Sequence, residues 1–212
     1  MGYRLWLTDL HRKSILKLKA DSIDGWGECS PAPLPLYNSE YTMGAFDLAR
    51  YALCPRIVGK DIKSGQDLQS LLCSFKGHEF AESAFDNAWW DLHAKSKQKP
   101  LWKLIGGTNQ QVSVGEDIPV LLDQKLLSNR IEAAVNQGFP RVKLKFNRRC
   151  TFDMLAAIRE KFPDLVMHID CNSGFTLQDL SLFQEIDQLN LAMIEQPLGY
   201  NDLIYHAKLQ KK

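Results

Sequence analysis

Three short polar clusters recur at one interval and constrain what the second half of the chain can fold into. They are Lys143-Leu144-Lys145, Asp170-Cys171-Asn172 and Glu195-Gln196-Pro197, set about 25 residues apart. Each follows, or lies within, a run that reads as a buried strand: 141–146, 166–170 and 191–195. An interval of that length holds one strand, one helix and two short loops. The full rhythm is strand 111–114, helix 123–137 ending at Gly138, strand 141–146, helix 152–162 stopped by Pro163, strand 166–170, helix 176–189, strand 191–195, and a helix from Asn201 to the end. Four strand–helix units in succession predict a parallel sheet with crossover helices. In such sheets chemistry gathers at the carboxyl ends of the strands, which is where the clusters fall.

Residues two apart in a strand share a face. Lys143 and Lys145 therefore project together, while Val142, Leu144 and Phe146 face the opposite layer. Each lysine raises the cost of the other's charge, which pushes a pKa downward and favours a lysine that acts as a base. An isolated K-x-K fits an edge strand with two solvated lysines better than it fits a catalytic pair. Asp170 and Glu195 stand at equivalent ends of neighbouring strands, within coordination range of one hard cation, typically Mg²⁺. The bland alternative for them is capping of the following helices. Taken together, lysines and carboxylates at one period describe a lysine base facing a divalent cation, equipment for removing a proton alpha to a carboxylate and stabilising the enediolate.

Residues up to about 105 have a different character. Ser14–Ala20 alternates apolar and polar residues and leads through Asp24-Gly25 to Trp26-Gly27-Glu28, a pattern that predicts an antiparallel hairpin turned at Asp24-Gly25. The Pro-bearing stretch 30–41 reads either as a lid or binding loop or as a rigid surface excursion. A helix over 45–53 is expected to end at Pro55, and a longer one over 79–97 carries Phe80, Ala84, Phe85, Ala88, Trp89 and Leu92 at helical spacing. Core packing accounts for Trp89 better than ligand stacking does, and His93 reads as a helix-end cation rather than a ligand. A short apolar turn at 100–105 and Gly106-Gly107 close the region, so domains are expected over 1–107 and 108–212.

Basic and acidic residues nearly cancel, 26 against 25, and nothing suggests a nucleic-acid partner. No apolar run reaches membrane-spanning length, and the amino terminus lacks the layout of a signal peptide. Five scattered cysteines without a C-x-x-C pair read as reduced thiols, and a cytoplasmic location is expected.

The K-x-K, D-x-N and E-Q-P series resembles the enolase superfamily on its muconate-lactonising side. Gly25-Trp26-Gly27-Glu28-Cys29, Phe75-Lys76-Gly77-His78, Ala88-Trp89-Trp90-Asp91-Leu92 and Lys99-Pro100-Leu101-Trp102 resemble o-succinylbenzoate synthases and N-acylamino-acid racemases. The resemblance implies an α/β protein: an α+β capping domain followed by the first half, about four β/α units, of a modified TIM-type barrel. It implies Lys145 as the acid/base lysine, Lys143 as its electrostatic partner, Asp170 and Glu195 as ligands of Mg²⁺, and Asn172 in support behind them. It makes 30–41 a substrate-covering loop. The family carries a third carboxylate and an opposing lysine on later strands, expected beyond Lys212, and its first capping strand is expected before Met1, so the chain reads as truncated at both ends. The implied activity is a Mg²⁺-dependent carbon–oxygen lyase forming o-succinylbenzoate by dehydration in menaquinone synthesis. The alternatives are an N-acylamino-acid racemase or dipeptide epimerase, and a non-catalytic remnant. Expected partners are a small-molecule carboxylate substrate and, in a homo-oligomer, further copies of the chain, with neither nucleic acid nor membrane.

Overall fold

The computed structural model describes the backbone of Arg4–Asp9 and residues 14–211 in full. The chain divides into two compact units, Met1–Gln110 and Gln111–Lys212.

The first unit is built on an antiparallel sheet of three strands, β1 (Arg4–Asp9), β2 (Ser14–Ala20) and β3 (Ile23–Cys29), in that spatial order. β1 pairs with β2 from Arg4↔Lys19 to Asp9↔Ser14. A strand thus precedes the hairpin. The hairpin turn differs from the expected one. Ala20 pairs with Ile23, so the turn is Asp21-Ser22, with Asp21 at φ +50°, and Asp24-Gly25 lies within β3. The glycines serve a different need. A Cβ on Gly25 would stand 2.1 Å from the carbonyl oxygen of Ala88, and one on Gly27 1.9 Å from that of Ala84. Only glycine lets the strand approach the helix backbone this closely.

That helix is α4 (Glu79–Ser96), preceded by α1 (Thr42–Leu48), α2 (Cys54–Ile57) and α3 (Gly65–Leu72). Pro55 does not end the helical run. A π-helical turn over Ala49–Leu53 joins α1 to α2, with the Cys54 N–H reaching back to the Ala49 carbonyl. The wider coil accommodates the proline's missing donor. α3 was not legible from apolar spacing; Ser64 and Asp67 form a reciprocal cap at its start.

α4 (Glu79–Ser96) lays Ala84, Phe85, Ala88, Trp89 and Leu92 against β2 and β3. Trp89 is a core residue, its ring edge-on to Trp90 at 4.9 Å and stacked on His93 at 4.7 Å. Burial, aided by the charge of Lys97, holds His93 below its ordinary pKa. His93 sits in the last turn of α4 as a stacking partner of Trp89. The expected apolar turn near residue 100 is a short helix, α5 (Leu101–Leu104).

The loop 30–41 is tied at its base and exposed at its tip. The Thr42 N–H and hydroxyl donate to the carbonyls of Ala32 and Pro31, each at 3.0 Å. The buried Glu40 carboxylate accepts from the N–H groups of Phe80 (2.8 Å) and Ala81 (3.1 Å) at the start of α4. Leu34, Leu36 and Tyr37 project into solvent.

The second unit is a parallel sheet of β4 (Glu116–Ile118), β5 (Arg141–Lys145), β6 (Val166–Asp170) and β7 (Met193–Glu195), in sequential order. The crossovers are α6 (Gln124–Asn136), α7 (Phe152–Lys161) and α8 (Leu180–Asp187), with α9 (Leu203–Gln210) after β7. Asp123 and Thr151 cap α6 and α7 through their side chains.

The first strand is the element that moved. Residues 111–114 form no strand, and Val112 and Val114 are exposed; pairing with β5 begins at Glu116 and buries Ile118. One face of the sheet carries Ile118, Val142, Leu144, Met167 and Ile169, buried with helix residues such as Ile131, Ile158 and Ile186. The five cysteines are all free. Among the described residues no helix is long and apolar enough to cross a membrane.

Candidate functional site

The opposite face of the second sheet holds the polar clusters. Because the strands are parallel and in register, Lys145, Asp170 and Glu195 occupy one row across β5, β6 and β7, and Lys143, His168 and Met193 occupy the row before it. The intervals of about 25 residues are the cause of this alignment. Pairing continues past the strand ends, where Cys171 N–H donates to Glu195 O and Phe146 N–H to Asp170 O. The backbone then turns sharply: Asn172, Ser173 and Gln196 all sit at positive φ, at +43°, +62° and +43°.

All five residues singled out from sequence meet in one network. Lys145 Nζ lies 2.6 Å from Asp170 Oδ2 and 3.1 Å from Asn172 Oδ1. Lys143 Nζ lies 2.9 Å from Asp170 Oδ2, 2.9 Å from Glu195 Oε2 and 3.1 Å from Glu195 Oε1. One ammonium thus bridges two carboxylates on adjacent strands. The N–H of Asn172 donates to Asp170 Oδ1 at 2.9 Å, so Asp170 is held on both oxygens.

Charge follows from these contacts. Burial works to raise the Asp170 pKa, but hydrogen bonds from Lys145, Lys143 and the Asn172 N–H outweigh it and bring the carboxyl down to about 2. Lys143 is held above its ordinary value, first by its hydrogen bond to Asp170 and, against burial, by that to Glu195. This corrects the expectation that the neighbouring lysine would push it downward. Two carboxylates in contact outweigh one like charge further along the strand.

Sequence reading missed His168. Its signal was available, since it stands two residues before Asp170 in the same strand and so shares its face. It is buried, with Nε2 4.0 Å from Glu195 Oε2. Burial, followed by the charge of Arg141, lowers its pKa and leaves the imidazole neutral at neutral pH. Arg148 was missed as well. Its guanidinium forms two bonds to the Asp179 carboxylate, at 2.9 and 2.7 Å, and donates to Gly174 O, tying down the segment that follows Asn172.

An antiparallel-sheet unit followed by a parallel β/α sheet with lysines and carboxylates along one row defines a mixed α/β protein with a partial barrel in its second unit. The comparisons agree. Residues 8–106 match the mandelate racemase / muconate lactonizing enzyme N-terminal domain, and residues 127–212 match the enolase C-terminal domain-like family. The chain belongs to the enolase superfamily, in its mandelate racemase / muconate lactonizing enzyme group. It is 35% identical over 198 residues to an N-succinylamino acid racemase of Thermus thermophilus, covering 93% of this chain and 54% of that protein. It is 34% identical over 195 residues to an o-succinylbenzoate synthase of Listeria innocua, covering 92% of this chain and 52% of that protein. The crystal structure of an enolase superfamily member from Listeria innocua superposes with a TM-score of 0.90 at 32% identity, over 100% of this chain and 59% of that one. The chain spans about half the length of the curated relatives it matches.

Proposed function

We propose that this chain carries the lysine and carboxylate side of a proton-abstracting site, in an enzyme of the o-succinylbenzoate synthase type. The observation that carries the reading is the shared row of Lys145, Asp170 and Glu195, with Lys143 bridging the two carboxylates. The donor set suits a hard divalent cation, and Mg²⁺ is the proposed cofactor, held by Asp170 and Glu195. Among the described residues no group of three or more His, Cys, Asp or Glu is placed to hold a metal, so two carboxylates are this chain's contribution. When bound, the cation supplies positive charge beside the substrate carboxylate.

The chain's own residues do the rest. Lys145 in its amine form takes the proton alpha to the substrate carboxylate. As electrons from that C–H bond form the new double bond, a C–O bond breaks on the same face, and Lys145 returns its proton to the departing hydroxyl as water. Asn172 holds the Lys145 amine in position, and Lys143 keeps the face positively charged as negative charge develops. One lysine-bearing strand suits such single-face chemistry. Proton transfer on N-acylated amino acids or dipeptides is the second reading, favoured by the Thermus thermophilus racemase among the relatives.

The two are separated by incubating the protein with Mg²⁺ and either substrate class. Formation of o-succinylbenzoate supports the first reading. Loss of optical activity in an N-succinylamino acid without that product supports the second. Neither reaction, with the protein folded and Mg²⁺ present, rejects both.

A further inference from the structure

The contacts of Lys143 are those of an ion rather than of a base. Its Nζ touches Oδ2 of Asp170 and both carboxylate oxygens of Glu195, at 2.9, 2.9 and 3.1 Å, its partners among the described residues. Asp170 and Glu195 stand side by side on adjacent strands, and Asp170 is almost wholly buried, so two ionised carboxylates there repel unless positive charge lies between them. A second lysine, Lys145, reaches Asp170 alone and turns to Asn172 with its remaining capacity. The two lysines therefore divide the work: one is shared by both carboxylates, and the other faces the end of the row.

From this geometry we infer that Lys143 is a resident counter-cation, holding Asp170 and Glu195 together until a divalent cation displaces its ammonium from between them. The inference rests on the proposed assignment of those two carboxylates as cation ligands. It makes Lys143 a positioning residue in the metal-free protein, with a role separate from any effect on Lys145. Displacement conserves charge: the ammonium leaves as such and turns toward the open side of the sheet, where 23% of its side chain is already exposed. Cation affinity is then reduced by the energy of breaking the lysine's two ion pairs, and an uncharged side chain of similar length removes that competition.

The test uses the chain as it stands, with Mn²⁺ alone as probe, read by calorimetry and by the electron paramagnetic resonance of free Mn²⁺. Lys143→Met is expected to bind Mn²⁺ about tenfold more tightly than the parent, and Lys143→Arg no more tightly. Equal or weaker binding by Lys143→Met overturns the inference. A second readout needs no variant. Acetylation of Lys143 in the parent, followed by mass spectrometry, should be slow without Mn²⁺ and at least severalfold faster with it, while exposed lysines such as Lys63 stay constant. Unchanged Lys143 reactivity at saturating Mn²⁺ also overturns the inference. Failure of the ligand assignment looks different: the parent binds no Mn²⁺, or Asp170→Asn and Glu195→Gln bind it as the parent does.

Discussion

Lys145 Nζ lies 2.6 Å from Asp170 Oδ2, a contact made across two parallel strands at one register position. The buried carboxylate, 1% exposed, is thereby coupled to the face that carries both lysines. Its stability contribution has a definite sign. The Asp170 pKa in the folded protein, about 2, lies below the unfolded value near 4, so the contribution is fully present above pH ~4 and is lost as pH falls through about 2. The expected size is about 2 kcal/mol. Denaturant melts between pH 6 and pH 2 should show this loss, and Asp170→Asn should remove that part of the pH dependence. A variant with the parental acid profile would contradict the coupling.

Gly27 and Gly25 let β3 rest against the α4 backbone. Gly27→Ala places a methyl 1.9 Å from the Ala84 carbonyl oxygen, where backbone must yield. The expected destabilisation is about 3 kcal/mol or more. Urea titration of the variant measures it, and a midpoint equal to the parent's would show that the close approach is not required.

Arg159 gathers the carbonyl oxygens of Phe162, Pro163, Leu165, Leu189 and Asn190, at 2.8 to 3.2 Å. It joins the turn after α7 to the turn after α8. Arg159→Ala should cost about 3 kcal/mol by leaving those acceptors without their shared donor. Arg159→Lys should recover less than half, because an ammonium lacks the planar fork. Full recovery by lysine would mean that charge alone matters.

The far end of the second unit is the least packed. α9 has no buried residue, and Leu203 and Ile204 are 77% and 71% exposed. Backbone amides of α9 should therefore exchange with deuterated water faster than those of α6, α7 or α8. Substituting lysine at both exposed positions should lower light scattering at high protein concentration without shifting the melt. Slow exchange throughout α9 would contradict this assignment.

The second unit was legible because its signals are periodic. The strand–helix interval, the apolar runs and the identical two-residue alternation in β5 and β6 all point one way, and the register then places Lys145, Asp170 and Glu195 in one row. What was illegible depended on partners distant in sequence. The turn at Asp21-Ser22 was hidden because Gly25 looks like a turn residue, yet it is there to admit Ala88. Pro55 looks like a stop, yet a π turn absorbs it. The strand at Glu116–Ile118 is short and polar at two of three positions, and only its pairing with Val142–Leu144 identifies it. The Lys143 charge state needed the carboxylates' actual distances, which no spacing supplies.

Exchange of the substrate alpha proton reports whether Lys145 transfers that proton. The chain is incubated in deuterated water with Mg²⁺ and, in separate samples, the hydroxy-carboxylate precursor of o-succinylbenzoate or an N-succinylamino acid, and deuterium at the alpha carbon of recovered substrate is read by mass spectrometry for the parent, Lys145→Ala and Lys143→Ala. The account predicts exchange in the parent, none above background in Lys145→Ala, and reduced but measurable exchange in Lys143→Ala. No exchange in the folded parent, or parental exchange in Lys145→Ala with none in Lys143→Ala, would contradict it.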